Sequence, residues 1–155
     1  MKLAQLNIAR LDSALDSLQL EGFVARLDEI NHLADKAEGF IWRYISDGTD
    51  SEETAAQLFG PDIIVTLSVW DNIKSAHTFV YRSAHAQLMA QRGQWFQCMK
   101  EAYMVLWWVP QGHIPTLVEA QSRLSVLRQS GPCAQAFTFK SAYPANGVSH
   151  QIMAE

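Results

Sequence analysis

Two stretches of this chain are apolar on both of their alternating faces, and that limits the fold more than any other feature. Side chains alternate across a strand, so a strand reports on both sides of its sheet. In the run Ile63 to Trp70, one side carries Ile63, Val65, Leu67 and Val69, and the other Ile64, Thr66, Ser68 and Trp70. From Tyr103 to Val109 the pattern repeats, with Tyr103, Val105, Trp107 and Val109 opposite Met104, Leu106 and Trp108. The adjacent Trp107 and Trp108 must therefore point in opposite directions. Strands this apolar on both sides are usually buried on both sides.

The rest of the chain supplies the elements around these strands. Lys2 to Ala9 is short, apolar-rich and free of Gly and Pro, and reads as a first strand. Between Leu20 and Lys36, Phe23, Leu27, Ile30, Ala34 and Ala37 recur at helical spacing, and Gly39 marks the stop. Phe40 to Ile45 is aromatic and β-branched, a second strand, followed by an exposed loop over Ser46 to Pro61 with a short helix near Glu53 to Leu58. Asp71, a residue suited to capping, precedes a helix running from about Ile73 towards Gln91. Thr116-Leu117-Val118-Glu119 has the form of a capping box, and opens a helix with Leu117, Ala120, Leu124 and Leu127 on one stripe. Gly131-Pro132 closes that helix, and Ala136 to Phe139 reads as a short fifth strand. The expected architecture is α+β: a ferredoxin-like β-α-β-β-α-β order with an extra C-terminal helix and short strand. Residues 1–139 form one domain, and 140–155 read as a loose tail.

Two helices crossing one sheet cover a single face of it. The other face would leave a large apolar patch in water, which monomers rarely tolerate. A second copy of the chain is the simplest cover, giving a homodimer through the sheet face. The alternative is that the C-terminal helix folds over that face. Composition favours the dimer, because only 18% of the residues are charged while 48% are hydrophobic.

The formal net charge of −4 and the scattered Lys and Arg argue against nucleic-acid binding. Neither a signal peptide nor a membrane span is legible, and Cys98 and Cys133 lack CxxC spacing, so a reduced, cytoplasmic chain is expected.

Candidate chemistry centres on His77, Tyr81 and His85, spaced by four on the second helix. A helical wheel puts His77 inside the apolar stripe of Ile73, Val80, Ala84 and Leu88, where it could serve as a general base; the plainer role is a packed histidine bonded to a carbonyl. Eight residues of helix separate His77 from His85 by about 12 Å, too far to share a metal, and no metal motif occurs. Asn7, Trp42, Tyr44, Trp70, Tyr81 and Trp107 could line an aromatic pocket, although core or interface is the commoner fate of such side chains. Arg43 and Arg82 could take an anionic group or pair with a carboxylate. His113 stands in the turn Pro110 to Pro115, where it could reach a pocket mouth or simply fix the turn.

The runs Leu67-Ser68-Val69-Trp70, Phe79-Val80-Tyr81-Arg82-Ser83-Ala84-His85 and Leu106-Trp107-Trp108-Val109-Pro110-Gln111-Gly112-His113-Ile114-Pro115-Thr116 resemble a bacterial family, domain of unknown function 3291. So do Ala4 to Ala9, Gly39 to Arg43 and Trp95-Phe96. The resemblance implies membership of the dimeric α/β-barrel superfamily, whose ferredoxin-like protomers pair sheet to sheet. That superfamily includes cofactor-free monooxygenases and haem-degrading enzymes, with ligands in a cleft between sheet and helices. By that analogy the chain is a monooxygenase-like enzyme acting on an aromatic or conjugated small molecule without a cofactor. His85 and His77 would act as base, Tyr81 and Asn7 would orient the substrate, and Arg82 would bind an anionic group. A non-catalytic binding protein using the same pocket is the alternative. A haem-handling protein is a third reading, against which Phe79 stands where haem-degrading relatives carry Trp and Met89-Ala90-Gln91 where they carry His.

Overall fold

A four-stranded antiparallel sheet, with strand order β2-β3-β1-β4, organises the chain. The computed structural model describes residues 1–11, 21–44, 50–60, 63–82, 96–97 and 99–145. Its strands are β1 (Lys2–Arg10), β2 (Phe40–Arg43), β3 (Ile63–Trp70) and β4 (Met104–Val109). Its described helices are α1 (Glu21–Lys36), α2 (Asp50–Phe59), α3 (Ile73–Arg82) and α4 (Leu117–Ser130). The two strands read as apolar on both sides flank β1, which pairs Leu6 with Leu67 of β3 and with Val105 of β4.

Each face of the sheet builds its own core. On the first, Leu3, Trp70 and Leu106 pack against Ile30 and Ala34 of α1 and Ala76, Phe79 and Val80 of α3. On the second, Ala4, Leu6, Leu67, Val105 and Trp107 pack against Leu117, Ala120, Leu124 and Leu127 of α4, with Leu58 and Phe59 of α2 beside them. Trp107 and Trp108 do point to opposite faces.

The second face is the one on which a second copy of the chain was expected. Its central residues are at most 3% exposed in the single chain, because α4 folds back over them. Three leucines taken out of water contribute about 1.5–3 kcal/mol each, so the helix itself supplies the cover that a second copy was invoked to provide. The leucine stripe of α4 was legible in the sequence, but the face it would meet was not.

Local signals account for the ends of the elements. Thr116 caps α4 by accepting from the Glu119 N–H at 3.1 Å, and Gly131 ends it at φ 75° with its N–H on the Leu127 carbonyl. Asn72 rather than Asp71 caps α3, its side-chain oxygen accepting from the Ser75 N–H at 2.8 Å; Asp71 is instead paired with Lys2. Gly39, at φ 82°, turns the chain so tightly against α3 that an added Cβ would lie 2.5 Å from the Ser75 Cβ. Of the expected fifth strand only Phe137 bridges the sheet, to Leu106 at the outer edge of β4, while Ala136 bridges Cys133. Beyond it Tyr143, placed by sequence in a loose tail, is tied down. Its carbonyl accepts from the Trp108 indole at 2.8 Å and its hydroxyl donates to the Pro132 carbonyl at 3.2 Å.

Candidate functional site

The sheet face beneath α1 and α3 carries a polar row within an apolar layer. Gln5 and Asn7 of β1 alternate with buried Leu6 and pair with Ser68 and Thr66 of β3. Gln5 is buried, with its amide nitrogen donating to the Met104 sulfur at 3.4 Å. The Thr66 hydroxyl donates to the Asn7 backbone carbonyl at 3.2 Å, and the Ser68 hydroxyl accepts from the Trp70 indole at 2.9 Å. Asn7 is different: its side-chain oxygen is buried and accepts no hydrogen bond among the described residues. An orphaned acceptor of this kind costs roughly 1–3 kcal/mol.

The aromatic pocket expected from sequence is divided between three places. Asn7 and Trp70 face α1 and α3, where Trp70 meets Phe40 edge-on and Phe79 at a tilt, at 5.4 and 5.3 Å between ring centroids. Trp42, Tyr44 and Trp107 lie on the opposite face, in the core under α2 and α4. A bulge between Phe40 and Trp42 causes the split in β2: one extra residue lets two side chains that would share a face point to opposite ones. The buried Tyr44 hydroxyl likewise finds no partner among the described residues.

His77 and Tyr81 occupy a third place, the outer surface of α3. The buried stripe of that helix is Ala76, Phe79 and Val80, and His77 stands beyond its margin, which corrects the helical-wheel placement. His77 stacks on Tyr81 at 4.6 Å, and both rings meet Phe139 edge-on, with Tyr81 half exposed. Arg82 is exposed at the end of the same helix. His85 lies outside the described residues. Arg43 forms a two-pronged pair with Asp35, at 2.7 and 3.3 Å, and this hydrogen bonding lowers the Asp35 carboxyl from its ordinary value.

His113 belongs to a network that spacing alone did not reveal. The buried Trp107 indole donates to one oxygen of Glu119 at 2.8 Å, while His113 Nε2 meets the other at 2.7 Å. Burial pushes the Glu119 pKa up, but the hydrogen bonds from His113 and Trp107 and the charges of His113 and Arg123 outweigh it, so the net shift is downward. The carboxylate of the capping box is thus turned inward, tying the turn before α4 to the sheet.

A cavity of about 120 Å³ opens on the α4 side, at the end of the sheet where β1 finishes and β3 begins. Ile8, Ile63 and Leu124 line it together with Arg10, Glu101 and Arg128. None of these was singled out from sequence as a site residue, since they come from four separate segments. The one available signal was the polar spacing of Gln121, Ser125 and Arg128 beside the leucine stripe of α4.

These features define an α+β protein with an antiparallel four-stranded sheet, helices on both faces and polar groups buried within its layers. The chain belongs to the family described as Domain of unknown function (DUF3291), whose model matches residues 2–153. It is similar in fold to the crystal structure of NE2512, a protein of unknown function from Nitrosomonas europaea. The TM-score is 0.50 at 14% identity, with 74% of this chain and 95% of that one covered. No curated protein matches. Among the described residues, no helix is long and apolar enough to cross a membrane, and no three His, Cys, Asp or Glu side chains converge as a metal site.

Proposed function

We propose that this chain is a non-catalytic small-molecule-binding protein of the cytoplasm, holding an aromatic or conjugated ligand beside Asn7 on the sheet face under α1 and α3. The orphaned Asn7 oxygen carries the reading. A ligand O–H or N–H would satisfy it, and Ile64 and Phe96, towards the same end of that layer, supply apolar surroundings. The β2-β3-β1-β4 order, with α1 and α3 on one face, supports a ferredoxin-like protomer. Because α4 occupies the opposite face, we read the chain as a protomer that closes its own sheet rather than half of a barrel. The monooxygenase-like reading takes second place because His77 and Tyr81, two of its three catalytic candidates, stand on the outer surface of α3.

The test compares 1-naphthol with naphthalene, which has the same apolar surface but no donor, by titration calorimetry. Naphthol is expected to bind at least tenfold tighter, the equivalent of about 1.4 kcal/mol. Asn7→Leu is expected to abolish that difference without loss of stability, because it also removes the unpaired acceptor. Equal binding of the two ligands by the unaltered protein would sink the proposal.

A further inference from the structure

We propose a second ligand site, on the other side of the sheet: the cavity between α2 and α4 binds a small organic monoanion, such as a short hydroxycarboxylate, through Arg10. Its floor is apolar, formed by Ile8 and Ile63 from the sheet and Leu124 from α4. Its walls carry the polar side chains of Arg10, Glu101, Gln121, Ser125 and Arg128. Arg128 is largely committed: its Nε donates to the Ala102 carbonyl at 2.9 Å, and a terminal nitrogen lies 3.4 Å from Glu101. Arg10 lines the same cavity, half buried, and its guanidinium forms no ion pair among the described residues.

A half-buried guanidinium is always charged, and its fork of donors suits a carboxylate. Glu101 offsets Arg128, which leaves one positive charge for a ligand to neutralise, so a monoanion fits better than a dianion. The volume sets the size. About 120 Å³ is less than the roughly 150 Å³ of an apolar cavity that takes up benzene, so the ligand has no more than about half a dozen heavy atoms. Ser125 and Gln121 add a hydroxyl and a carboxamide to the wall contributed by α4. They favour an anion that also bears a hydroxyl over a plain alkanoate.

The probes are lactate, its neutral amide lactamide, and oxalate, a dianion of the same number of heavy atoms, each titrated into the full chain and followed by calorimetry and amide NMR shifts. We expect saturable binding of lactate that weakens with added salt, at least tenfold weaker binding of the amide and of oxalate, and shifts grouped around Arg10 and Ser125. Arg10→Gln should weaken lactate at least tenfold while leaving the urea midpoint unchanged. Ser125→Leu, which fills the cavity and keeps every charge, should also abolish binding. Asn7→Leu should have no effect, so the two sites can fail separately. The proposal is overturned if the amide binds as well as the acid, if Arg10→Gln binds normally, or if no probe saturates at millimolar concentration.

Discussion

Shortening Leu124 to alanine tests whether α4 is an intrinsic part of the domain. Leu124 is 2% exposed and sits on the sheet face carrying Leu6, Val105 and Trp107. The substitution removes three carbon groups, worth about 0.8 kcal/mol each in transfer from water, or about 2.4 kcal/mol. It also leaves a void that the rigid sheet cannot close, which brings the expected loss to about 3 kcal/mol. With a urea m-value of about 2 kcal/mol/M for a chain of this size, the midpoint should fall by roughly 1.5 M. Val118, six residues earlier on the same helix but 59% exposed, is the control, and Val118→Ala should change stability by less than about 0.5 kcal/mol. Because the cover is part of the same chain, the midpoint should not depend on protein concentration; a face covered by a second copy would make it rise with concentration by mass action. A loss below about 1 kcal/mol for Leu124→Ala, or a midpoint that rises with concentration, would refute the assignment of α4 as the cover.

Two further perturbations probe the joints around α4 and α3. Glu119 has a lower pKa folded than unfolded, so its contribution is fully present above the unfolded value of about 4.3 and is lost as pH falls through the folded value. Glu119→Gln should therefore cost about 1 kcal/mol near neutrality, the difference between charged and neutral hydrogen bonds, and the two denaturation curves should converge towards pH 3; parallel curves would contradict this. Gly39→Ala combines a left-handed backbone with a clash against Ser75, and should lower stability by about 2 kcal/mol or more by calorimetric unfolding. A Tm within a degree of the unaltered protein would show that the turn relaxes freely.

What was legible in the sequence was whatever local pattern controls. The strand Ile63 to Trp70 begins and ends where alternation placed it, and the Thr116 cap and the leucine stripe of α4 are where the spacing put them. What was not legible depends on which surfaces meet. The stripe 117, 120, 124, 127 shows that α4 buries one side; whether it docks on its own sheet or yields to a second copy depends on the path of the turn from Pro110 to Pro115. That path is held by the Trp107–Glu119–His113 contacts, which join residues of no recognisable motif. The candidate site fared worse for a related reason. A single bulge in β2 sends Trp42 to the face opposite Trp70, and a helical wheel shifted by one position turns His77 from a buried base into a surface ring. Asn7 was legible as a polar residue on an apolar strand, whereas its want of a partner is a property of the assembled layer.

The edges of the sheet also bear on how this chain meets its neighbours. A free strand edge is a row of unpaired amides and carbonyls, and a template on which another chain can polymerise. Here β2 is only four residues long and bulged, and at the far side Phe137 exchanges both backbone hydrogen bonds with Leu106. Neither edge offers a long, straight ladder to an incoming strand. With strands as apolar as β3 and β4, this is a safeguard against amyloid-like growth, and it directs any association with other molecules to the helical and loop surfaces.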